Sequence, residues 1–154
     1  MREGRGIGKW GSIPLVRPTG WSGGICREAR RMEIEIVNLN QVPSFITKDG
    51  SEIRELLAHR NSEIRNQSLA EARVPVGGAT QEHYHVRAEE IYYITHGTGR
   101  IRIEGEEREV AAGDAVAIPP GRRHKLWNAG NEPLRLLCCC APGYEHDDTV
   151  LTEP

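Results

Sequence analysis

Three histidines and a glutamate define the chemistry open to this chain: His83, His85, Glu90 and His124. On an extended strand alternate side chains point the same way, so His83 and His85 project together and Tyr84 faces away. Glu90 follows after four intervening residues, and a hairpin would return it beside the histidines. His124 arrives on a third strand, with Leu126 and Asn128 on its face. Three imidazoles and a carboxylate suit one divalent transition ion (Mn, Fe, Co, Ni, Cu or Zn), and ligand softness alone does not choose among them. Such a set leaves positions on an octahedral ion open to water or substrate oxygens. A lone His-x-His pair would read as ordinary core or surface. The pair, the glutamate, the third histidine and the glycines between them fit one template.

Parity also places Gln81 and Tyr92 on the ligand face, which makes them the candidate catalytic residues. Tyr92 could donate a hydrogen bond or proton to a bound oxyanion, or it could simply pack. Tyr93 belongs to the opposite face and reads as structural. Arg122 and Arg123, just before His124, could guide an anion to the site, since arginine forks match carboxylate and phosphate; an exposed loop pair is the favoured reading. Trp127 falls outward by parity, toward core or dimer contact. In the trio Cys138–Cys140, Cys138 and Cys140 share a face with Leu136 while Cys139 goes with Leu137. Packing as small apolar residues is favoured there over ligation or redox sensing.

The elements that must position these groups are short strands. Residues 33–37 (EIEIV), 67–74, 80–86, 89–97 and 99–105 carry strand patterns, many of them alternating apolar and polar side chains. Further runs follow at 106–110, 114–119, 124–128 and 133–141, and 51–58 reads as strand in that company. Asp49-Gly50, Glu104-Gly105 and Pro119-Pro120-Gly121 mark turns between them. The Pro-Pro-Gly turn sets the register at which His124 enters, and Gly97 and Gly113 sit where the backbone must bend. The pattern predicts an all-β protein, an antiparallel sandwich or barrel. The polar, acidic segment after Pro142 reads as a strap over its surface.

The chain has 154 residues, enough for one domain, and a net charge of −2, which argues against nucleic-acid or anionic-membrane partners. Residues 1–31 stand apart, with seven Lys/Arg against two Asp/Glu. This irregular, Gly-rich N-terminal extension reads as a loosely draped segment or as sequence upstream of a start at Met32; a basic arm for an acidic partner is the alternative. Trp10 and Trp21 would anchor it if ordered. No run is apolar enough to span a bilayer, and adjacent cysteines make poor disulfide frameworks. Both features place the chain in a reducing cytoplasm.

The spacing resembles the two cupin motifs. Gly77, His83-x-His85, Glu90 and Gly97 match the first, and Gly113, Pro119-x-Gly121, His124 and Asn128 match the second. The resemblance covers about 67–141 directly, extends in outline over 32–154, and is to small single-domain microbial cupins. The EEIYYI-x-x-G-x-G run also looks like proteins labelled mannose-6-phosphate-isomerase-like. The resemblance implies a jelly-roll β-barrel of two antiparallel sheets with a metal inside, and a homodimer. It points to a metal-binding protein for a small oxygenated molecule: a keto acid, enol, diketone or sugar derivative. As an enzyme it would be a dioxygenase or an isomerase/decarboxylase, depending on the metal; the alternative is a non-catalytic small-molecule binding or sensing barrel.

Overall fold

The computed structural model describes residues 34–153. The basic segment 1–31, with Trp10, Trp21 and Cys26, and the expected boundary at Met32 lie outside the described residues. Two antiparallel sheets face each other. The larger has six strands in the order β1 (Phe45–Ile46), β2 (Glu52–Leu57), β3 (Ser68–Val74), β10 (Leu134–Ala141), β5 (Glu89–His96), β8 (Ala115–Ile118). The smaller has five: β11 (Thr149–Leu151), β4 (His83–His85), β9 (His124–Asn128), β6 (Thr98–Ile103), β7 (Glu106–Ala111). Because β10 lies between β3 and β5, and β9 between β4 and β6, strands remote in sequence meet. The chain therefore rolls up as a jelly-roll barrel.

Alternation explains why these residues make these strands. Along β5, Glu90, Tyr92 and Ile94 are buried while Glu89, Ile91, Tyr93 and Thr95 are exposed. The inward residues meet Ile53, Ala72, Val74, Ile101, Leu126, Leu134 and Leu136 in a single core between the sheets. Burying a side chain such as Ile94 or Leu126, each 1 % exposed, stabilises the barrel by about 1.5–3 kcal/mol. The β6–β7 hairpin closes through Glu104-Gly105 with φ of 49° and 87°, the left-handed pair a two-residue turn needs to match strand twist.

Three expectations change. Within 33–37 the described residues form no strand, and Ile34 and Ile36 are 81 % and 86 % exposed. Alternation provides an amphipathic face, but a strand also needs a neighbouring backbone, and none among the described residues pairs with this segment. Second, β4 and β5 do not form a hairpin; they lie in different sheets. Third, the segment after Pro142 contributes more than a strap, because β11 pairs with β4 in the register Thr149↔His85 and Leu151↔His83.

Candidate metal centre

The two sheets each supply part of the site. β4 carries His83 and His85, and β9 brings His124 opposite His83 in the ladder. Glu90 comes from β5 in the facing sheet. All four are buried, and their potential ligand atoms lie within 4.8 Å of one another. The crossing from β4 to β5 must be held firmly for this to work, and Asp148 holds it. Its carboxylate accepts from Arg87 N at 3.0 Å, Ala88 N at 3.0 Å and Arg87 Nε at 3.1 Å. Gly121 N donates to His85 O at 2.7 Å, tying the turn before His124 to β4.

Hydrogen bonds fix the imidazole tautomers. His83 Nδ1 faces Gln81 O and His124 Nδ1 faces Arg122 O, both at 2.9 Å. A carbonyl only accepts, so both Nδ1 atoms carry hydrogen and, in the neutral ring, each Nε2 presents its lone pair. Thr149 Oγ1 lies 3.2 Å from His85 Nδ1 and donates its one hydrogen to Glu145 O, also at 3.2 Å. It therefore accepts from His85, whose Nε2 is left as a lone pair too. These lone pairs converge on Glu90 Oε2, 3.2 Å from His85 Nε2 and 3.5 Å from His124 Nε2. His124 Nε2 is fully buried without a hydrogen-bond partner.

A buried cluster of acceptors is unfavourable unless positive charge enters it. Either the imidazoles take protons or a cation binds, and three neutral imidazoles with a carboxylate are a fitting donor set for a transition ion. Electrostatics keep the carboxylate available. Burial alone would raise the Glu90 carboxyl, but the His124 and His85 imidazoles beside it, once they carry the extra proton, outweigh burial and hold Glu90 well below the usual range. Burial and His124 lower His83. For His85, burial pulls downward but the Glu90 contact prevails and raises it. Tyr92, buried beside Glu90, is pushed far above an ordinary phenol, by burial first, and keeps its proton.

The cluster opens into a cavity bounded on the other side by β2, β3 and β10. Tyr92 lines it, with its ring 5.8 Å from that of His124. Gln81 is not among its lining residues. It precedes β4, so strand parity does not govern it, and it meets the site through its carbonyl on His83. Cys138 and Cys140 face the cavity with Leu136, while Cys139 and Leu137 do not. Cys140 also lies opposite Glu90 in the β5–β10 ladder, and its thiol donates to Glu90 Oε1 at 3.4 Å. Arg122 and Arg123 stay off the cavity; Arg123 pairs with Glu104 on the surface. Trp127 lies outward among Arg100, Arg102 and Lys125, 5.0–5.4 Å from its ring. Asp49, Tyr144, Asp148 and Thr149 escaped the sequence reading, because only long-range pairing brings them to the site.

Residues 70–140 match the family model for the cupin domain. An uncharacterised protein of Methanocaldococcus jannaschii is 48 % identical over 122 residues, covering 79 % of this chain and 98 % of that protein. The chain belongs to the cupin family. The polyketide cyclase RemF of Streptomyces resistomycificus superposes on this cupin with a TM-score of 0.68 at 22 % identity, covering 79 % of this chain and 87 % of its own. The nucleoside dehydratase Pac13 of Streptomyces gives 0.65 at 17 % identity, covering 79 % and 92 %; its structures include one with uridine. At these identities the likeness is one of fold.

Proposed function

We propose that this cupin is a metal-dependent enzyme acting on a small oxygenated molecule, with His83, His85, Glu90 and His124 holding one divalent transition ion. The observation that carries the reading is the convergence of imidazole lone pairs and a carboxylate, buried, with no donor at their centre. When bound, such an ion supplies Lewis-acid polarisation of substrate oxygens or activation of dioxygen. The chain's own groups do the rest. Glu145, Thr149, Gln81 and Arg122 orient the imidazoles through their outer nitrogens, and Asp148 fixes the loop between His85 and Glu90. Tyr92, protonated and facing the cavity, donates to the oxyanion that forms, while Leu126, Leu136 and Ile53 exclude water. Purified protein should convert members of a panel of keto acids, enols, diketones and sugar derivatives, followed by oxygen consumption and mass spectrometry. Stoichiometric metal with no turnover across that panel would sink the enzyme reading, and a ligand recovered unconverted would mark a binding protein.

The same barrel works as a homodimer in the reducing cytoplasm. Free thiols at Cys138, Cys139 and Cys140 support the compartment. Exposed Ile34 and Ile36, together with exposed Phe45 and Ile46 of the edge strand β1, support the dimer. Replacing Ile36 by Lys should then shift sedimentation from dimer to monomer; a wild-type monomer would rule the dimer out.

A further inference from the structure

A second polar group of side chains lines the cavity beside the metal centre, with the Tyr144 ring 6.0 Å from that of His85. Asp49 sits in the turn joining β1 to β2 and is 8 % exposed. Its Oδ1 accepts from Thr47 Oγ1 at 2.6 Å, Ser51 Oγ at 2.7 Å and Ser51 N at 3.2 Å. Its backbone carbonyl accepts from Gln81 N at 2.7 Å, so the turn is clamped to the strand that leads into His83. The carboxylate is thus fixed, yet among the described residues Oδ2 has no hydrogen-bond partner and no Lys or Arg pairs with it. Asp49 lines the cavity. So does Tyr144, whose buried hydroxyl also lacks a partner. Burial raises that phenol against the pull of the neighbouring Thr149 hydroxyl, and Asp49 adds to the rise, so it keeps its proton.

A buried polar atom left unpaired is costly, so the Tyr144 hydroxyl, on the same cavity as the unpartnered Asp49 Oδ2, marks what a ligand must satisfy. The lining narrows the choice further. Among the described residues it contains no Lys or Arg, so none of them compensates a ligand's phosphate or carboxylate away from the metal centre. Its remaining acid, Glu55, is already paired with Arg60. Much of the rest of the lining is apolar, from Ile53, Ala70, Leu126 and Leu136. A hydroxyl can donate to Asp49 and accept from Tyr144, whereas an anion would meet Asp49 as a like charge.

We propose that the cavity takes an uncharged substrate that places oxygens at the His–Glu centre and a further hydroxyl at Asp49 Oδ2 and Tyr144 Oη. This selects enols, diketones and unphosphorylated polyols over keto acids and sugar phosphates that would set their charge against Asp49. It rests on the metal-centre reading above.

Three hydroxypyranones test it, because they share one chelating head and differ only at the other end of the ring: kojic acid (CH2OH), allomaltol (CH3) and comenic acid (carboxylate). Binding to Zn2+-loaded protein is measured by calorimetry, with zinc content checked first. Kojic acid should bind about tenfold tighter than allomaltol, as a hydrogen bond to a buried charge implies, and comenate should bind weakest. Asp49→Asn should keep the turn acceptor, leave allomaltol within about twofold, and cancel most of the discrimination against comenate. Tyr144→Phe should remove part of the kojic acid preference. Allomaltol binding in each variant doubles as the check that the barrel is intact. Equal binding of all three, or a preference for comenate, overturns the inference and leaves the metal-centre reading standing. Failure of all three to bind zinc-loaded protein overturns both.

Discussion

Thr149 offers a sharp test of how the site is built, because it touches His85 and no other member of the cluster. Replacing it by Val keeps the shape and removes one oxygen. Thr149 is 2 % exposed, so water cannot easily stand in. His85 Nδ1–H then loses its acceptor, 3.2 Å away, and Glu145 O loses its donor at the same distance. An unmade hydrogen bond to a buried donor costs about 1–3 kcal/mol, and 3.2 Å is at the long end of the normal range, so the lower half of that interval applies. At about 1.4 kcal/mol per tenfold, Zn2+ affinity should fall about tenfold, within the 10–100-fold range for groups that orient a ligating histidine. A competitive titration against a fluorescent chelator at neutral pH measures this, with Thr149→Ser expected to restore most of the affinity. Wild-type zinc affinity in Thr149→Val would refute the argument that Thr149 fixes the His85 tautomer, as would failure of Ser to rescue a real loss.

The Asp148 carboxyl lies below its ordinary value: burial pushes it up, but bonds from Ala88 N, Arg87 and the Arg87 charge outweigh that. Its contribution is therefore fully present above the unfolded value, near 3.8, and is lost as pH falls through the lower folded value. Asp148→Asn should melt below wild type at pH 7, and the gap should close as the pH drops below about 4; a gap independent of pH would contradict this. The buried thiols should be inert. Burial, then Glu90, raise Cys138 and Cys140 well above a free thiol, so at pH 8 a disulfide reagent should leave both unmodified in the folded protein and label them on denaturation. Rapid labelling of Cys140 in folded protein would show that its contact with Glu90 is not maintained.

The ligand set was legible because it depends on local rules. Strand parity puts His83 with His85 and Glu90 with Tyr92, and turn residues set where each strand begins. What parity cannot say is which strands pair. β4 looked like the first arm of a hairpin with β5, yet it joins β9 and β11, and Glu90 reaches the histidines across the barrel interior. Thr149 and Asp148 lie 64 and 60 residues from their partners His85 and Ala88, Asp148 in a three-residue 3-10 turn and Thr149 on a three-residue strand, both too short to show any periodicity. Asp49 was legible as a turn residue and not as a cavity wall, because the fold-back of β1–β2 over the site is a tertiary fact. Residues 34–37 show the converse error, a strand pattern that no neighbouring backbone among the described residues completes.

The central claim is that four buried side chains hold one metal ion. Elemental analysis of protein from its native source, purified without exchangeable metals, should find one transition ion per chain. A His124→Asn variant that folds, judged by its circular dichroism and melting, should lose it. A wild-type protein with no stoichiometric metal, or a His124→Asn variant that retains it, would contradict the account.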